Sequence, residues 1–124
     1  MIFQAVCIYT DNAPRLAAFY ETVFRETPLV EGSHYGFNQA KLAVYDPGNT
    51  PVSEVKNMSV IYAVEDVMAE YKRLTKALPE LRVVSPPEHR PWGAYSFWFL
   101  DPDGNMVSLL EAPGGAGSRS EDIQ

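Results

Sequence analysis

The chain has no cysteine pair. Cys7 stands alone among 124 residues, which excludes an internal disulfide and fits a reducing compartment. Basic residues are scarce: 10 Lys and Arg face 16 Asp and Glu, for a formal net charge of −6. That balance works against nucleic-acid phosphates and anionic membranes, and it suits a cationic ligand. No stretch approaches the roughly 18 apolar residues that cross a bilayer. The opening MIFQAVCIYTD has no basic segment ahead of an apolar run, so it does not read as a secretory signal. We therefore expect a cytoplasmic protein with neither a nucleic-acid nor a membrane partner. A glycine-rich phosphate loop, a CxxC pair and a GxSxG turn are also missing. What is present suits a globular domain: 46% of residues are hydrophobic, and a chain this long buries about two-thirds of its unfolded surface.

Hydrophobic periodicity organises the chain. Residues 2–9, IFQAVCIY, are apolar and rich in strand formers. Asp11 or Asn12 is placed to cap a helix over 13–24, Pro14 suits its first turn, and Leu16, Phe19, Tyr20 and Phe24 give it an apolar stripe. Thr27 to Val30, Tyr35 to Phe37 and Ala40 to Tyr45 read as strands, with a turn at Glu31-Gly32-Ser33 that also takes in His34. Residues 47–57 read as a linker. The pattern then restarts. Met58 to Val64 is a strand, and Glu65-Asp66 opens a helix striped by Val67, Tyr71, Leu74 and Leu78. Leu81 to Val84 is a short strand, and the proline-rich run 85–93 is expected to be a loop. Tyr95 to Leu100 and Met106 to Leu110 are strands joined by the turn DPDGN. The expected layout is one domain over 1–112, with modules 1–46 and 58–112, and a flexible tail over 113–124.

The repeat decides the fold class. Gln4 to Asp11 matches Ser59 to Asp66 in length, and LAAFY (16–20) matches VMAEY (67–71). Each half reads as βαβββ, so the expected class is α+β, with eight strands forming a cupped mixed sheet.

Four segments carry a resemblance: Asp11 with FYETVF (19–24), VEDVMAEYKRL (64–74), PWG (91–93) and FLDPDGNMVSLLE (99–111). In these the chain resembles the vicinal oxygen chelate superfamily, which includes glyoxalases, bleomycin-resistance proteins and dioxygenases. The resemblance implies paired βαβββ modules, a cup usually completed by homodimerisation, and in the enzymes one divalent metal held by both modules. Carried over residue by residue, it places the four metal-ligand positions at Gln4, Ala43, Ser59 and Ser108. None is a histidine or a carboxylate, whereas zinc, nickel, iron and manganese require imidazole, carboxylate or thiolate donors. No metal and no other cofactor is therefore expected.

Strand alternation extends the lining of the cup. Val6 and Ile8 go with Gln4, Ile61 and Ala63 with Ser59, and Met106 and Leu110 with Ser108. Cys7 and Glu111 fall on opposite faces, Cys7 as a small core residue. Trp92 is the candidate for stacking on a planar ligand. The expected ligand-binding set is Gln4, Val6, Ser59, Ile61, Trp92, Met106 and Ser108, and no catalytic residue is identified. These residues point to a metal-free protein that sequesters a small organic molecule, with a basic, antibiotic-like one suited to the acidic balance. The alternative is a glyoxalase-like lyase or isomerase with a displaced metal site that draws on His34, His89 or a carboxylate of a partner subunit.

Overall fold

Each helix begins at a residue whose side-chain oxygen takes up a free backbone N–H. The computed structural model describes residues 1–51, 53 and 55–111, and the chain divides into two compact units between Val55 and Lys56. The tail expected over 113–124 lies outside the described residues.

In the first unit β1 (Val6–Tyr9) leads into α1 (Ala13–Phe24), followed by β2 (Leu29–Glu31), β3 (His34–Phe37) and β4 (Leu42–Tyr45). Asn12 caps α1, its Oδ1 accepting the Arg15 N–H at 3.2 Å. Pro14 occupies the first turn, where a missing N–H costs no helical bond. The helix stops at Arg25, which adopts a left-handed φ of 54° and donates its N–H to the Glu21 carbonyl. The strand order is β1-β4-β3-β2, with β1 parallel to β4 and the other pairs antiparallel. Phe37 pairs with Leu42 and meets Phe24 of α1 edge-on at 5.4 Å. Leu42 and Val44 therefore look towards the helix, buried together with Leu16 and Tyr20.

The second unit repeats this plan with β5 (Ser59–Ala63), α2 (Val67–Ala77), β6 (Arg82–His89), β7 (Tyr95–Leu100) and β8 (Met106–Glu111). Its order is β5-β8-β7-β6, with β5 parallel to β8. Asp66 accepts the Ala69 N–H at 3.0 Å, and Glu111 reaches across to accept the Val67 N–H at 2.7 Å. Phe97, Phe99, Val107 and Leu109 are buried on the helix side, where Tyr71 meets Phe97 at 5.0 Å. Burying side chains of this size contributes about 1.5–3 kcal/mol each. Between β7 and β8 the fully buried Asp101 organises the turn. Its Oδ1 accepts the N–H groups of Asp103 and Asn105, both at 2.9 Å, and its Oδ2 accepts the Asn105 side-chain amide at 2.9 Å.

The expected α+β class and βαβββ repeat are present, with the eight strands hydrogen-bonded as two mixed sheets of four. Several expectations need correction. The first strand starts at Val6 rather than Ile2; Ile2 and Phe3 are exposed. His34 opens β3, paired with Glu31 and Tyr45, instead of lying in the turn. The proline-rich run is not all loop, since β6 continues through Pro86 and Pro87 to His89. It can do so because β6 is an edge strand with two register shifts, where a missing N–H breaks no inner ladder.

The repeat register also moves by one residue. The two helix caps are Asn12 and Asp66, and the N–H of Thr10 bonds to Tyr45 as that of Val64 bonds to Leu110. Matching these pairs sets Ala5, not Gln4, against Ser59.

Candidate functional site

In the second unit, the face of the sheet turned away from α2 is concave. Register alone sorts its residues. Tyr95, Phe97 and Phe99 alternate with Ser96 and Trp98 along β7, and Trp98 pairs with Ser108 while Ser96 pairs with Leu110. Across the parallel ladder Ser59 pairs with Met106, and Ile61 with Ser108. Ser59, Ile61, Ser96, Trp98, Met106, Ser108 and Leu110, together with Trp92 and Ala94 from the segment before β7, line a concavity of about 290 Å³. That volume lies at the small end of ligand pockets, whose usual makeup is apolar walls with a few polar groups.

Five of the expected residues therefore share one site: Ser59, Ile61, Trp92, Met106 and Ser108. Trp92 is exposed at the rim, and Ser108 lies at the floor with only 7% of its surface accessible. The Ser108 hydroxyl has no hydrogen-bond partner among the described residues. Covering such a group without a partner costs about 1–3 kcal/mol.

The other two are not cup-facing in their own sheet. Val6 pairs with Leu42 and so shares the face that packs on α1. Gln4 precedes β1, is exposed, and loses its match with Ser59 to Ala5 through the one-residue register change. The open face of the first unit carries Cys7, paired with Ala43, and Tyr9, paired with Tyr45. Cys7 is thus exposed on that face and not in the core. Partial burial of its sulfur still pushes the thiol pKa up by disfavouring the thiolate. Tyr45 is flanked by Tyr9, with ring centres 6.2 Å apart, and by His34 at 5.8 Å.

The donor set does not fit a divalent metal. Of the positions that the resemblance makes metal ligands, Ser59 and Ser108 in the second unit carry hydroxyls, and in the first unit Gln4 carries an amide and Ala43 a methyl group. His34 is engaged beside Tyr45, and His89 lies 4.7 Å from the Tyr95 ring. Among the described residues, no three of His, Cys, Asp and Glu are grouped as a metal would require. Glu111 spends its carboxylate on the start of α2, on the helix side.

Ala94, Ser96 and Trp98, which line the concavity, and Arg90, which stands beside it, escaped the sequence reading. Ser96 and Trp98 were within reach of strand alternation from Ser108. Arg90 was not. Its Nε donates to Ser96 Oγ at 2.7 Å and its guanidinium stands 3.9 Å from the Trp98 ring centre, a placement that depends on β6 running through the two prolines.

Comparison with known proteins fits this architecture. The family model of the Glyoxalase/Bleomycin resistance protein/Dioxygenase superfamily matches residues 2–109. No curated protein matches the sequence. Among solved structures, a glyoxalase/bleomycin resistance protein/dioxygenase from Nocardioides superposes with a TM-score of 0.74 at 17% identity, covering 100% of this chain and 90% of its own. TioX from Micromonospora sp. ML1 gives 0.69 at 19% identity, with 89% and 98% covered. A lactoylglutathione lyase from Agrobacterium tumefaciens gives 0.66 at 24% identity, with 89% and 92% covered. At these identities the likeness is one of fold.

Proposed function

Because the chain belongs to the Glyoxalase/Bleomycin resistance protein/Dioxygenase superfamily, we propose that it keeps the superfamily's fold without its metal and binds a small organic molecule on the concave face of the second unit. The observation that carries this reading is Ser108. A serine hydroxyl that is covered and unpartnered, at the floor of an apolar-walled concavity, is a hydrogen-bonding position left for a guest. Ile61, Met106 and Leu110 supply apolar contact, Trp92 at the rim supplies a stacking surface, and Ser59 adds a second hydroxyl. No residue of the lining is a nucleophile paired with a base, which favours sequestration over turnover. The reading includes a homodimeric assembly and a cytoplasmic place of action.

The test is a thermal-shift screen of aromatic and antibiotic-like molecules, followed by calorimetric titration, with elemental analysis of protein purified without chelator. A ligand present at 100 times its Kd is expected to stabilise the fold by about 2.7 kcal/mol. Metal is expected well below one ion per chain. One tightly held metal per chain, or no response anywhere in the screen, overturns the reading.

A further inference from the structure

The charge beside the concavity is opposite in sign to that of the chain. Arg90 follows β6 and lies over the open face of the second sheet. Its Nε donates to Ser96 Oγ at 2.7 Å, and its Nη2 donates to Ser85 Oγ at 2.9 Å and to the Ser96 carbonyl at 3.1 Å. Its Cζ stands 3.9 Å from the centre of the Trp98 ring. Ser96 and Trp98 are themselves walls of the concavity. Two hydroxyls, a carbonyl and an indole thus hold the guanidinium plane in one orientation. Only 7% of the side chain remains accessible.

Counting donors shows what is left over. Guanidinium carries five N–H groups and no acceptor, and it stays charged at any physiological pH. Nε and Nη2 are engaged, while Nη1 has Glu88 Oε1 at 3.6 Å, too long for a hydrogen bond. Glu88 is itself 52% exposed, so water competes for it. The residues lining the concavity are serine, tryptophan, alanine, isoleucine, methionine and leucine, and none is negative. Arg90 stands behind the lining residues Ser96 and Trp98, and a covered, permanent cation whose Nη1 makes only a long ion pair to an exposed carboxylate is a recognition element for a competing anion.

We propose that Arg90 is the specificity-determining residue of this site and that the ligand is a small planar molecule bearing a carboxylate. Nη1 receives the carboxylate in the place that Glu88 now approaches, and the ring of the ligand lies among Trp92, Ile61 and Met106. One Nη group, held now only by the long Glu88 contact, matches a single negative charge, which favours a carboxylate over a phosphate. An amine meets like charge. This reverses the cationic preference expected from the net charge of −6, because a covered charge a few ångströms away outweighs a screened surface balance. The proposal rests on the concavity being the binding site.

Three probes of one shape separate the two ideas: naphthalene-2-carboxylate, naphthalene-2-carboxamide and 2-naphthylmethylamine, each titrated calorimetrically into the full chain. The carboxylate is expected to bind about tenfold tighter than the carboxamide, and the amine most weakly. Arg90→Gln is expected to erase the preference for the acid over the carboxamide, whatever it does to the affinity of both. Glu88→Gln, at an exposed position, is expected to tighten the acid alone, and it decides the matter if Arg90→Gln fails to fold. Equal binding of all three probes, or a preference that neither variant moves, overturns the carboxylate assignment and leaves the binding site standing. Failure of all three probes to bind overturns both.

Discussion

Asp101→Asn removes a charge and reverses one donor–acceptor relation inside the β7–β8 turn. Asp101 is fully buried. Its Oδ1 takes two backbone N–H groups at 2.9 Å and its Oδ2 takes the Asn105 amide at 2.9 Å. An asparagine can keep its oxygen on the two backbone donors only by setting its own NH₂ against the Asn105 amide, donor against donor. One hydrogen bond to a charged group is then lost, about 1.5–3 kcal/mol. Partial exposure of Asn105 lets its side chain rotate to water and relieves some of this, so the expected cost is about 1.5–2.5 kcal/mol. Asp101→Ala loses the other acceptors too and should cost more. Urea unfolding followed by tryptophan fluorescence measures both. With a slope of about 1–3 kcal/mol per molar, the midpoint for Asp101→Asn should fall by roughly 1 M without a change of slope. A change within about 0.5 kcal/mol would refute the view that the carboxylate builds the turn. The site is linked to this result, because the turn fixes the register that pairs Trp98 with Ser108.

Other predictions concern single groups. Glu111→Ala should destabilise the fold by about 1–2 kcal/mol through loss of the carboxylate at the start of α2, with Glu111→Gln costing less; an unchanged melting temperature for the alanine variant would contradict it. Ser108→Ala should leave stability unchanged or raise it by up to about 1 kcal/mol, since an unpartnered hydroxyl is removed, while weakening whichever probe binds. Loss of stability with no loss of affinity would show that the hydroxyl serves the fold. Cys7 has a raised pKa, so at pH 8 it should react with iodoacetamide more slowly than the urea-unfolded chain and accelerate as pH rises. A rate equal to that of the unfolded chain would remove the desolvation argument.

Much of the fold was legible because period and capping are local signals. The stripe from Leu16 to Phe24, flanked by Asn12 and Pro14, specifies α1 to the residue. DPDGN between two alternating runs specifies the β7–β8 hairpin. On the second sheet, counting by twos from Ser108 reached most of the concave face. The same counting failed in the first unit, because Asp11 and Asn12 both look like caps and the choice shifts every side chain of β1 to the other face. Prolines hid β6, since their cost depends on whether a strand is at an edge, which is a property of the sheet and not of the segment. The contacts of Arg90 were hidden for the same reason: they exist only once Ser85, Ser96 and Trp98 are neighbours.

In both sheets the strand that comes first in sequence pairs with the one that comes last. Among the described residues β1 has β4 as its only neighbour, and β5 has β8. During synthesis Tyr9 must wait for Tyr45, its partner in register. At translation rates of about 5–20 residues per second, that delay is on the order of seconds. Local hairpins form in microseconds. Synthesis from the N-terminus thus favours building each sheet from its far edge inwards, with the opening strand waiting for its partner over that interval.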